Sequence, residues 1–131
     1  MKLEFLILSI IKLSDNNLKG RTILQKIIYF FSILLNKEFG YQAHYYGPYS
    51  SQVENALNSL KSLGYIKEEV NTWGVDERGF EKKKYVYSLT NDGEYIYNYL
   101  SKDNHSDMDS ISQIFTLLNK HIDLNDSYSL S

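Results

Sequence analysis

Leu3, Leu6, Ile7, Ile10 and Leu13 recur at helical spacing, and Phe5, Leu8 and Ile11 make the same stretch apolar on a second side. Such a helix has to be covered on two sides, by other elements or by a second subunit. Glu4 and Lys12 interrupt the run and no small-residue cleavage pattern follows it, so it reads as a buried helix, not a signal peptide. Ser14-Asp15-Asn16-Asn17 breaks the pattern and Gly20 closes the connection. A second helix is expected from Thr22, where Thr22-Ile23-Leu24-Gln25 fits a capping box. Its stripe is Leu24, Ile27, Ile28, Phe31 and Leu35, widened by Ile23, Phe30 and Leu34, and Gly40 ends it. Tyr41 to Tyr46 is a short extended segment.

Gly47-Pro48-Tyr49-Ser50 turns into a third helix, with Ser51 and Glu54 as a second capping box. Val53, Ala56, Leu57, Leu60 and Leu63 face inward, and Gly64 stands where a left-handed C-terminal cap is needed. Two short strands follow, Tyr65–Val70 and Lys84–Leu89, joined by a turn-rich loop of roughly ten residues. Thr90-Asn91-Asp92-Gly93 caps a helix carrying Tyr95, Ile96, Tyr99 and Leu100. A last helix is marked by Ile111, Ile114, Phe115, Leu118 and Ile122, and residues 125–131 form a patternless tail expected to be mobile.

Three helices followed at once by a two-stranded hairpin is the order of a winged helix-turn-helix, an α+β fold, here with additional C-terminal helices. The third helix would be the recognition helix and the hairpin the wing. The segments Gly20-Arg21-Thr22-Ile23-Leu24-Gln25-Lys26-Ile27-Ile28-Tyr29-Phe30, Tyr46-Gly47-Pro48-Tyr49-Ser50, Leu60-x-x-Leu63-Gly64-Tyr65-Ile66 and Tyr87-Ser88-Leu89-Thr90-x-x-Gly93 resemble the YwgA-like group of small winged-helix proteins. The likeness runs over about residues 3–100. It implies a winged-helix fold, with a role in transcriptional regulation or as a partner in a defence or toxin-antitoxin locus.

Composition narrows the chemistry. Fourteen Lys plus Arg against sixteen Asp plus Glu give a net charge of −2, which excludes a protein that coats nucleic acid through bulk positive charge. The acidic excess lies after Lys102, where one basic residue stands against five acidic ones, so the preceding body is mildly basic. Without Cys there is no disulfide framework and no thiol nucleophile. His44, His105 and His121 lack ligand spacing, and neither a phosphate loop nor a nucleophile elbow is present, so no metal, cofactor or enzyme activity is expected.

The expected contacts with double-stranded DNA divide by chemistry. Arg21 and Lys26, near the start of the second helix, suit phosphates. So do Lys61 and the hairpin's Arg78, Lys82, Lys83 and Lys84. Tyr49, Ser50 and Ser51 at the start of the third helix suit phosphate or base edges, and Gln52, Asn55 and Asn58 carry the amides that read adenine. Trp73 and Phe80 are expected to anchor the hairpin on the body, and the recurrent tyrosines to be half-buried with hydroxyls in water. Residues 1–102 form the winged-helix domain and 103–124 a dimerisation helix pairing Ile111, Ile114, Phe115, Leu118 and Ile122 across a two-fold axis. The expectation is a soluble, cytoplasmic, homodimeric regulator. The alternative is a winged helix used as a protein-interaction module, antitoxin-like or an adaptor subunit, that does not bind DNA.

Overall fold

The N-terminal helix α1 (Leu3–Leu13) is the centre of the molecule, and every residue from Phe5 to Ile11 is buried. In the computed structural model, which describes residues 1–43 and 47–121 (the side chains of Trp73, Glu81 and His121 aside), this apolar cylinder is packed by four other elements. They are α3 (Ser51–Ser62), β3 (Glu81–Leu89), α4 (Asn91–Lys102) and α5 (His105–His121). The chain order is completed by β1 (Leu18–Lys19), α2 (Arg21–Leu34) and β2 (Ile66–Val75). The fold is α+β: five helices and a three-stranded antiparallel sheet of order β1-β3-β2 among the described residues. No described helix is long and apolar enough to cross a membrane.

The stretch after α1 holds more than a break. Asp15 and Asn16 take left-handed backbone angles, which short polar side chains tolerate, and return the chain into β1 beside Tyr87 and Val86. Asn16 then ties three elements: its amide donates to Glu94, and its carbonyl accepts from the Leu89 N–H at 3.0 Å. Two residues are too short a strand to show a period, so this element is invisible to pattern reading.

Five other boundaries differ from expectation. The second helix starts at Arg21 on Gly20, with no side-chain cap, and ends at Leu34; it is covered as far as Phe31, and Ile33 and Leu34 at its end are exposed. α3 is capped by Ser50, whose hydroxyl accepts from the Val53 N–H, one residue earlier than the Ser51 box. Both hairpin strands run on through the expected loop, leaving a tip of residues 76–80 in which the Asp76 carboxylate accepts from the Arg78 and Phe80 N–H groups. Phe80 is 65% exposed with the Arg78 guanidinium 5.8 Å over its ring, so it does not anchor the hairpin on the body. The Trp73 side chain lies outside the described residues.

α5 packs along α1 and buries Ile111, Phe115 and Leu118 in the common core, with Ser9 meeting Met108 and the N-terminal amine facing Asp107. The stripe expected to pair two subunits is thus spent within the chain, and residues 103–121 belong to the same core as the rest. Ile114 is partly buried against that core. Ile122, the tail, and His44 to Tyr46 lie outside the described residues.

Candidate functional site

The exposed side of α3 and the hairpin beside it are set in place by two buried devices. The first orients the start of α3. Gln25, expected to cap its own helix, instead spans to the α3 cap: its amide donates to the Ser50 carbonyl and its carbonyl accepts from the Ser50 N–H, both at 3.0 Å. Ser50 is fully buried and its hydroxyl also donates to the Phe39 carbonyl at 2.5 Å. The Tyr41 hydroxyl donates to the Gln25 backbone carbonyl at 2.7 Å, and Gln42 and Tyr49 exchange backbone hydrogen bonds. Burial without a charged partner pushes the Tyr41 phenol well above its ordinary pKa, so it stays a donor.

The second device joins α2, α3 and the hairpin base. Strand alternation puts Ile66, Glu68 and Val70 on the face that carries Leu89, Tyr87 and Tyr85 across the ladder. Glu68 therefore enters the core side as a carboxylate and requires partners. It has three: Arg21 Nη2 at 2.9 Å, Lys61 Nζ at 3.0 Å and the Tyr87 hydroxyl at 2.6 Å. Burial raises the Glu68 pKa, but the bonds from Tyr87, Lys61 and Arg21 outweigh it and hold the carboxyl below the ordinary range. Arg21 also binds Glu54, donates to Asn58 Oδ1 at 3.2 Å and lies 5.8 Å over the Tyr87 ring. Tyr87 is fully buried, and burial together with its bond to Glu68 raises its phenol. Its hydroxyl is not in water.

The junction of α3, β2 and α4 is closed by tight backbone contacts. The Tyr65 N–H reaches the Leu60 carbonyl and the Gly64 N–H the Lys61 carbonyl, both at 3.0 Å, with Gly64 in the left-handed region as expected. Thr90 caps α4 by accepting from the Gly93 N–H, and its hydroxyl donates to the Gly64 carbonyl. A Cβ at Gly93 would stand 2.0 Å from the Tyr65 carbonyl oxygen. The Leu60-x-x-Leu63-Gly64-Tyr65-Ile66 and Tyr87-Ser88-Leu89-Thr90-x-x-Gly93 segments are the two sides of this one joint.

Of the residues singled out from the sequence, Gln52, Asn55 and Asn58 are exposed on α3, and Asn55 and Asn58 line a shallow depression with Ser59, Ser62 and Leu63. Ser51 and Tyr49 are exposed at its start, whereas Ser50 is occupied as the cap. Arg78, Lys82, Lys83 and Lys84 are exposed along the hairpin. Arg21 and Lys61 are turned into the carboxylate cluster, and Lys26 is only 6% exposed, so these three do not project as surface cations. Among the described residues no group of His, Asp and Glu could hold a metal ion. No family model, curated protein or solved structure matches this chain.

Sequence reading missed Glu54, Glu68 and Tyr87 as the residues that fix α3 to the hairpin. One signal was available. Glu68 falls between Ile66 and Val70 on the inward register of its strand, and a charge at such a position demands a partner.

Proposed function

We propose that this chain is a winged-helix protein that binds double-stranded DNA as a transcriptional regulator, with α3 as the recognition helix and the β2–β3 hairpin as the wing. The observation that carries the reading is the exposed side of α3. It offers Gln52, Asn55, Asn58, Ser59 and Ser62, uncharged groups that suit base edges, while its two charged residues, Glu54 and Lys61, are both held in ion pairs at the hairpin base. Lys82, Lys83 and Lys84 beside it supply the phosphate contacts. Arg21 and Lys61 act as positioning residues, because their charge is compensated by Glu54 and Glu68. The resemblance to the YwgA-like group points the same way. Pairing of two copies on this reading uses a surface other than the buried α5 stripe, and sedimentation of the purified chain tests it.

Fluorescence anisotropy with duplexes tiled across the gene's own upstream region, against a scrambled control at two salt concentrations, tests the proposal. The expected result is preference for one tile by ~10³-fold or more, with affinity falling as salt rises. Replacing Lys82, Lys83 and Lys84 by Ala should weaken all duplexes alike and flatten the salt slope by about 2–3. Weak, equal binding everywhere overturns it.

A second reading, a protein-interaction module, is favoured by one observation: Val70, Val75 and Phe80 leave the hairpin with exposed apolar side chains. Under that reading Phe80→Ala abolishes capture of a co-expressed partner and the lysine changes do not.

A further inference from the structure

Asn58 stands at the edge of the exposed face of α3, one turn after Glu54 and on the row that meets Arg21. Arg21 Nη1 donates to Asn58 Oδ1 at 3.2 Å. A guanidinium has donors only, so the Asn58 atom turned toward it has to be the carbonyl oxygen, and the chemistry fixes which way round the amide lies. Arg21 does not swing away cheaply: Glu54 holds the same nitrogen, Glu68 holds the other at 2.9 Å, and the Tyr87 ring lies beneath. Asn58 itself remains exposed beside Asn55 and Ser59, in the depression on the face assigned to the groove. The bond takes one of the two lone pairs of Oδ1 and aims that end of the planar amide at Arg21, so the N–H end is the one not committed.

Resting on the DNA-binding reading above, we infer that Asn58 is a donor-only reader that selects guanine over adenine at one base position. An unconstrained asparagine reads adenine with both ends of its amide, accepting from N6 and donating to N7. With its oxygen end aimed at Arg21 rather than at the base, Asn58 brings N–H groups against the adenine N6 amino group, donor against donor. Guanine presents acceptors at N7 and O6, which the same N–H groups match. Gln52 and Asn55, which have no such bond to Arg21, keep both ends of their amides for adenine. Two asparagines one turn apart on the same helix thus read different bases because one has a guanidinium behind it.

Duplexes selected from a randomised library by the wild-type chain and by two variants, followed by anisotropy on single-base changes, test this. The wild type should show a position at which guanine is preferred over adenine by about tenfold or more. Asn58→Asp keeps an acceptor for Arg21 and removes both donors, so the preference at that position should move to cytosine, whose amino group needs an acceptor. Arg21→Met frees the Asn58 carbonyl, and adenine should then bind within about twofold of guanine; a thermal melt checks that this variant folds, and Asn58→Asp carries the test if it does not. Adenine preferred by the wild type at the position that Asn58→Asp alters, or specific binding with no position altered, overturns this inference and leaves the DNA reading standing. Failure of the wild type to bind any duplex overturns both.

Discussion

The central helix and the β2–β3 hairpin, whose register shifts between Thr72 and Val75, are fastened by different means. α1 is enclosed by α3, α4, α5 and β3, and its hold on the molecule is apolar area removed from water. The described side chains of the hairpin beyond Val70 are exposed on both strands, and it is held only at its base, where Ile66, Tyr87 and Leu89 enter the core, β1 pairs with β3, and one carboxylate is shared by Arg21, Lys61 and Tyr87. Apolar burial is spread over many neighbours and indifferent to direction. A charge cluster is directional and depends on each member, so the hairpin's placement against α3 can be altered by one substitution that leaves the core intact.

The contrast can be broken most strongly from the apolar side. Ile7→Ala removes a fully buried branched side chain from the middle of α1 and should cost about 2–5 kcal/mol in urea denaturation, with the midpoint falling and the slope unchanged. A loss below 1 kcal/mol would mean that α1 is not the centre of the core.

Gly93→Ala comes next. The new Cβ meets backbone rather than a side chain that could turn aside, so α4 or the start of β2 has to move, at about 1–3 kcal/mol. A thermal melt unchanged from wild type would refute the joint. Gln25→Ala is of similar or smaller size: it strands the N–H of a fully buried Ser50 and takes one of two donors from its carbonyl, which keeps the Glu54 N–H, at about 1–3 kcal/mol. Its distinguishing readout is hydrogen exchange, which should rise in the first turn of α3 before it rises in α1.

The smallest effect sharpens the comparison through pH. The Glu68 carboxyl titrates below its unfolded value, so its contribution is present above the usual glutamate range and is lost as pH falls through the folded value. Amides at Glu68, Val86 and Tyr87 should therefore lose exchange protection between about pH 5 and 3 while those of α1 keep theirs. Simultaneous loss in both would show that the cluster does not hold the hairpin independently of the core. Glu94, held low by Lys12 and Asn16, should act in the same direction at the α1–α4 contact.

What could be read in the chain depended on whether the cause was local. α1, α3, α4 and α5 were legible because each carries an apolar stripe at helical spacing, and Gly64 was legible as a C-terminal cap because its surroundings are its own helix. The α5 stripe was legible as a stripe and misassigned in its partner, since periodicity marks a face to be buried and not what buries it. Gln25 was misassigned for a related reason: its spacing from Thr22 fits a local cap, but the backbone of Ser50 offered both a donor and an acceptor. Of the candidate contacts, the exposed amides of α3 and the hairpin lysines stand where surface residues were expected, while Arg21, Lys26 and Lys61 were drawn inward.

By itself the sequence determined the number and order of the long elements, the apolar character of α1 and the mild basicity of the body ahead of Lys102, because all three follow from side-chain chemistry summed along a short window. Only the tertiary structure decided that residues 21, 54, 58, 61, 68 and 87 meet at one point, and hence which cations are neutralised and which way the Asn58 amide lies. The physical reason is that a salt bridge needs partners within a few ångströms, and spacing along the chain says nothing of which distant carboxylate the packing of α1 will bring there.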